Sequence, residues 1–263
     1  MIVSLGDLLL DVIVRLEQPL AEGADANAVT RLGPGGQAAN VAAWVAHLGG
    51  RAGFVGKLAA DEAGTTAARA LERYGVELRG PVVDGRTGTV VSLVGSDGSR
   101  TMASDRGVSP ELRADELDPA WFEGCEHLHL PGYSLLRSPV DEAALRAAEL
   151  APRLSVDLSS WSAIRDFGPE RFRARLDELR PDVVFANEDE ERILGGPLPG
   201  SMWVLKLGSR GARFGDLELP AVPAQVVDTT GAGDALAAGY LVGGPELALE
   251  AAAQCVAQLG AMP

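Results

Sequence analysis

Asp228-Thr229-Thr230-Gly231-Ala232-Gly233-Asp234, running on into Ala235-Leu236-Ala237-Ala238-Gly239-Tyr240, is the stretch whose reading decides the fold and the chemistry of this chain. The Ala-rich part predicts a helix, because Ala has the highest helix propensity. The partly β-branched run 223–227 ahead of it predicts a strand or a strand end. Gly231 and Gly233 then fall where strand gives way to helix, with N–H groups that can point outward together at the positive end of the helix dipole. Such a turn suits an anion, above all phosphate. Asp234 sets a carboxylate beside that anion. A repelling charge there is costly unless it has a function, and taking the proton from an attacking hydroxyl is such a function. A tight turn capped by Thr and Asp would use some of these residues, but not their concentration in seven positions.

Outward from this motif, the chain alternates. Strands are expected at 2–5, 127–130, 154–158, 182–186 and 202–207, and helices at 37–48, 65–74, 140–150 and 169–179. Gly33-Pro34-Gly35-Gly36 reads as a sharp turn ahead of the first helix. The alternation predicts an α/β fold: a three-layer, doubly wound, mainly parallel sheet covered by helices on both faces, as a single domain over 1–263. Two hairpin-rich stretches, about 12–32 and 86–106, do not fit the alternation. The second carries the turn signal Gly95-Ser96-Asp97-Gly98. Together they predict a small β lid over one edge of the sheet.

Composition excludes several classes. The chain has 263 residues and a net charge of -14. Nucleic-acid polymers and anionic membranes are not expected partners, since both require a basic face. No apolar run reaches the ~18 residues of a membrane span. Cys125 and Cys255 are too few for a disulfide framework, and the first residues lack the features of a signal peptide, so a reducing cytoplasm is expected. His47, His127 and His129 show no zinc spacing with the cysteines.

Further candidates surround the leading motif. Gly35 and Gly36 allow close approach of backbone to a ligand, and Asn40, on the first turn of the following helix, can donate to and accept from hydroxyls. A rival reading takes Gly33-x-Gly35-x-x-Ala38 as a dinucleotide fingerprint and the protein as a nicotinamide-dependent oxidoreductase, although no buried apolar strand runs into it. Asp7 lies just past the first strand, at the edge where open α/β sheets bind ligands. Asp7 and the nearby Asp11 are acceptors suited to a diol. Asn187 and Glu190 lie three apart and would share a helix face. They could hold waters around Mg²⁺, or simply supply a helix start with acids. Leu207-Gly208 to Gly211 is a strand passing into a Gly-flanked turn. Gly56-Lys57 resembles part of a P-loop, but Arg51 and Leu58 break that pattern.

In this order along the chain, Gly6-Asp7, Gly35-Gly36 with Asn40, Gly56 with Asp61 and Gly64, Asn187 with Glu190, Leu207-Gly208 with Gly211, and Asp228–Asp234 make the chain similar to the ribokinase/PfkB family of small-molecule kinases. The resemblance implies a ribokinase-like fold with a β lid that often makes a dimer. It implies ATP-dependent, Mg²⁺-assisted phosphorylation of a hydroxymethyl group on a sugar or nucleoside. Asp234 would be the base, and the amides of Gly231, Ala232 and Gly233 the anion hole. Asp7, Asp11, Gly35, Gly36, Asn40 and Arg106 would hold substrate. Lys206, Gly208, Gly211 and Thr229 would lie near the nucleotide, with Asn187 and Glu190 organising Mg²⁺. An activating K⁺ would use Asp228, the backbone of Thr230 and a C-terminal loop, which is short here. A non-catalytic sugar- or nucleotide-binding relative is the second alternative, and the intact Asp234 argues against it. Gln37 stands where ribokinase proper has a Lys, and the segment 127–133 offers no acidic sugar ligand, so ribose itself is disfavoured.

Overall fold

The computed structural model describes residues 1–95 and 100–263. A nine-stranded sheet forms the middle layer. Its order across is Leu217–Leu219, Ala212–Phe214, Met202–Lys206, Val183–Asn187, Leu154–Asp157, His127–Pro131, Ile2–Leu5, Ala52–Val55 and Glu77–Arg79. The seven strands from Met202–Lys206 to Glu77–Arg79 run parallel, and the two at the other edge close antiparallel.

The helices are α1 Gln37–His47, α2 Glu62–Arg73, α3 Val140–Ala148, α4 Trp161–Phe167, α5 Pro169–Leu179, α6 Glu188–Leu194, α7 Ala232–Gly243 and α8 Pro245–Val256. Period-two alternation within a strand sorts side chains between two cores. Val183 and Phe185 face the core built by α1, α2, α7 and α8, while Val184 and Ala186 face the core of α3, α5 and α6. Strands buried on both faces therefore read as continuous apolar runs. Trp44 of α1, 1% exposed, donates its indole N–H to the Ala261 carbonyl at 2.8 Å, which fastens the last residues of the chain to the first core.

A second, four-stranded sheet has the order Ala28–Gly35, Leu9–Leu16, Thr87–Val94 and Arg100–Gly107. Leu9–Leu16 and Thr87–Val94 pair parallel, and the outer pairs are antiparallel. Three of the four strands extend slightly beyond the expected lid stretches, and Thr87–Val94 lies within one. Most of the turn expected at Gly95–Gly98, residues 96–98, lies outside the described residues.

Two local expectations are corrected. Gly33-Pro34-Gly35 is not a turn: the lid strand runs through it, and the reversal falls on Gly36 alone, at φ 97°. The run 223–227 is not a strand. Val226 and Val227 are 64% and 51% exposed, with no neighbouring strand to pair with, and the backbone is held instead by the Val227 N–H donating to Val256 O at 2.7 Å. Pro220 and Pro223, which lack the donor a ladder needs, fit a connecting loop. Among the described residues, no helix is long and apolar enough to cross a membrane.

Candidate active site

Gly231 caps α7 in the left-handed region, at φ 78°. A Cβ there would lie 2.6 Å from the Ala261 Cα, so the backbone of the loop packs directly on the C-terminal segment. The helix begins with Ala235 N–H donating to Gly231 O at 2.9 Å and Ala232 N–H to Thr229 O at 3.4 Å. Among the described residues, the amides of Gly231, Gly233 and Asp234 meet no protein acceptor. They are orphan donors of a helix start, the arrangement that receives an anion.

Asp234 stands on the first turn of α7, and Asn40 on the first turn of α1. The Asn40 Nδ2 donates to Asp234 Oδ2 at 2.7 Å. Burial pushes the Asp234 carboxyl up to about 7; the Asn40 bond opposes this, the charge of Asp157 reinforces it, and Lys206 and Gln37 pull the other way. A carboxylate poised near neutrality can accept a proton and release it again.

Behind Asp234 lies a charged cluster at the carboxyl ends of three adjacent strands. Asp157, fully buried, accepts from Lys206 Nζ at 2.7 Å. Burial works against the Lys206 ammonium, but Asp157, Glu190 and Asp234 outweigh it and raise its pKa. Glu190 is 2% exposed, and burial raises its pKa. Its two oxygens accept from the Asn187 N–H at 2.9 Å and the Asn187 Nδ2 at 2.8 Å, while Asn187 Oδ1 caps α6. The pair thus forms a capping box.

Lys206, Gly208, Gly211, Thr229 and Gly233 line one cavity of about 630 Å³, closed by apolar residues such as Val222 and Leu249. All four positions expected near a nucleotide therefore share one space with the anion loop. Asp228 ties that loop to the chain end: its Oδ1 accepts from the Thr230 N–H at 2.9 Å and its Oδ2 from the Gly260 N–H at 3.0 Å.

The remaining expected residues gather where the lid meets the sheet. A Cβ on Gly36 would come 2.3 Å from the Asp7 carbonyl oxygen, so only glycine fits between α1 and the end of the first strand. Arg106, from the lid, forms an ion pair with Asp7 and lies over the Tyr133 ring at 4.0 Å. Burial raises the Asp7 pKa against the charges of Arg106 and Arg137. The Asp11 carboxylate packs on Gly35, where a Cβ would be 2.1 Å from it. The rival fingerprint reading loses its context here, because the strand entering those glycines belongs to the lid sheet and not to the parallel sheet.

Sequence reading missed Asp157, Tyr133, Arg137 and Arg171, and took Gln37 only as a departure from ribokinase. Asp157 had a readable signal: it lies one residue before the end of an expected strand, much as Asp7 lies just past one. Gln37 accepts from Ser159 Oγ at 2.5 Å and also bonds Asp234, a role visible only once α1 and α7 are packed together. His129 is fully buried against Ser155 Oγ at 2.9 Å, and burial drops its pKa to about 4.

The family described as pfkB family carbohydrate kinase matches residues 1–262. The chain is 33% identical to the ATP-dependent ribose-1-phosphate kinase of Halopiger xanaduensis, an alignment that covers 97% of this chain and 90% of that protein. It is also 33% identical to fructokinase-1 of Zea mays, over 92% of this chain and 82% of that one. The crystal structure of adenosine kinase from Sinorhizobium meliloti superposes with a TM-score of 0.87 at 26% identity, over 100% of this chain and 95% of that chain.

Proposed function

The chain belongs to the pfkB family of carbohydrate kinases, and we propose that it transfers the γ-phosphoryl group of ATP to a hydroxymethyl group on a small sugar, sugar derivative or nucleoside. The observation that carries this reading is the meeting of Asp234, poised near neutrality, with the unpartnered amides of Gly231 and Gly233. Asp234 is the general base that accepts the proton of the attacking hydroxyl, and Asn40 holds its carboxylate in line. The amides of residues 231–233 stabilise charge on the transferred group, which is where most of the rate of a loose phosphoryl transfer arises.

The nucleotide occupies the cavity beside Lys206, Gly208, Gly211 and Thr229. Asp7, Asp11, Gly35, Gly36, Asn40 and Arg106 hold the acceptor beneath the lid. Mg²⁺ arriving with ATP would neutralise phosphate charge, with Asn187 and Glu190 holding its waters. A K⁺ site at Asp228 and the Thr230 backbone is part of the same reading. It is read by comparing rates in KCl and NaCl. The exposed lid residues Val29, Leu32 and Met102 support a homodimer through the lid, which sedimentation at varied concentration tests.

The test of the central reading is coupled ADP release from MgATP over pentoses, hexoses, sugar acids, inositols and nucleosides. Acceptor-dependent ADP release that vanishes in Asp234→Asn supports it. Release from no acceptor by the folded protein, or full turnover in Asp234→Asn, rejects it.

A further inference from the structure

A second cavity, of about 500 Å³, opens beside Asp7. Asp7, Arg106, Tyr133, Arg137, Phe167 and Arg171 are among its lining residues. Three arginines, against the two carboxylates Asp7 and Asp166, thus line one space in a chain whose net charge is -14. Concentrating like charges is unfavourable unless an anion answers them. The nearby carboxylates are already engaged: Asp7 with Arg106, Asp166 with Arg165 at 2.8 Å, and Asp141 with Arg175 at 2.9 Å. Among the described residues, neither Arg137 nor Arg171 has an ion-pair partner. Two of the three guanidinium groups are also held flat, Arg106 over Tyr133 at 4.0 Å and Arg171 over Phe167 at 4.2 Å. Stacking fixes the plane of each fork; the Arg106 fork is shared with Asp7, and the N–H edge of Arg171 is left for a ligand.

We propose that this cavity is an anion subsite, and that the acceptor of the kinase already carries a phosphate monoester, held by Arg106, Arg137 and Arg171. This rests on the kinase reading above. Position supports it. Asp7 packs on Gly36, and Gly36 is four residues, about 6 Å along the axis, from Asn40, which holds Asp234. A sugar lying between Asp7 and Asp234 would present one end to the arginines and the other to the anion loop. In the transfer, the acceptor oxygen forms a bond to the γ-phosphorus of ATP as the bond to the ADP oxygen breaks. The hydroxyl proton goes to Asp234, and the phosphate on the acceptor is untouched. Guanidinium forks match phosphate and carboxylate alike, so sugar acids are the second arm of the test.

The test measures kcat/KM for matched sets of a neutral sugar, its phosphate and its sugar acid, in the unaltered protein and in Arg137→Gln, Arg171→Gln and the double variant. The expected result is a preference for the sugar phosphate that falls about tenfold or more per guanidinium removed, through KM rather than kcat. Inorganic phosphate should raise the melting temperature of the unaltered protein and lose that effect in the double variant. Should the double variant unfold, the single variants carry the same comparison. Equal or better use of the neutral sugar, preference for the sugar acid, or a preference that survives both substitutions overturns the proposal while leaving the kinase reading intact. Absence of ADP release with every acceptor instead removes the kinase reading, and this subsite with it.

Discussion

Asn40 and Asp234, separated by 194 residues, are joined by a 2.7 Å hydrogen bond between the first turns of two helices. The bond has a direction that matters. Asn40 donates to a carboxylate that burial alone would keep protonated. If Asp234 is the base, kcat/KM rises with pH through an apparent pKa near 7 and levels off above it, because only the ionised form can accept a proton. Asp234→Asn keeps the fold and ATP binding, as seen by circular dichroism and thermal shift, and loses about 10²–10⁴-fold or more in kcat. Near-normal turnover would remove Asp234 from the chemistry.

Replacing Asn40 by Ala tests the same contact from the other side. The substitution withdraws a donor that favours the ionised form, so the pKa of Asp234 should move further up. The inflection of the pH–rate profile is expected to shift to higher pH, and most of the activity lost at pH 7 should return by pH 9. A loss equal at every pH would mean that Asn40 holds substrate and leaves the carboxylate alone.

Lys206→Met strands Asp157 as a buried charge without its partner, since that carboxylate is fully buried and its ammonium partner lies at 2.7 Å. Removing one member of a buried ion pair costs about 3–5 kcal/mol. Urea unfolding measures this directly. Adding Asp157→Asn should recover a large part of the loss, and the double-mutant cycle gives the coupling energy. Independent, additive losses would contradict a coupled pair.

Much of this was legible in the sequence, for a physical reason. Strands buried on both faces and helices with one apolar stripe carry periodic signals, and the parallel sheet follows from their alternation. The glycine positions were legible too, since Gly36 and Gly231 sit where a side chain cannot. What stayed hidden depends on long-range packing. The strand expected before the anion loop is absent because β-branched Val226 and Val227 find no neighbour to pair with. Edge strands Ala212–Phe214 and Leu217–Leu219, and helices α4 and α8, are short or Ala-rich and carry weak period. Nothing in the sequence sets Arg137 and Arg171 apart from ordinary surface charges, and only the fold brings them to the cavity that Arg106 also lines.

Asp61 shows how the lid is fastened. Its Oδ1 accepts from the Gly64 N–H at 2.7 Å, capping α2, and from Thr87 Oγ1 at 2.5 Å, while its Oδ2 accepts from the Thr87 N–H at 2.8 Å at the start of a lid strand. Asp61→Ala therefore loses a helix cap and a tether together. A cost of about 1–2 kcal/mol is expected in denaturant unfolding. If the lid closes over the acceptor, the KM for acceptor should rise more than that for ATP, and ATP hydrolysis without acceptor should increase. Equal changes in both KM values would assign the bond to stability alone.

The raised pKa of Asp234 also carries a stability prediction. An unfolded Asp ionises near 3.8, whereas the folded group does so near 7. Between those values the folded state binds the extra proton, so stability falls as pH rises across that window and is constant above it. The contribution is fully present below the lower value and gone above the upper one. Asp234→Asn removes the cost of ionising a buried carboxyl and can still accept from Asn40 through its amide oxygen. The variant should therefore melt higher than the unaltered protein by a few degrees at pH 8, and by less at pH 5.5. A difference that does not grow with pH would mean that Asp234 ionises as an ordinary surface acid. The same result would remove the reason for expecting a base that works near neutrality.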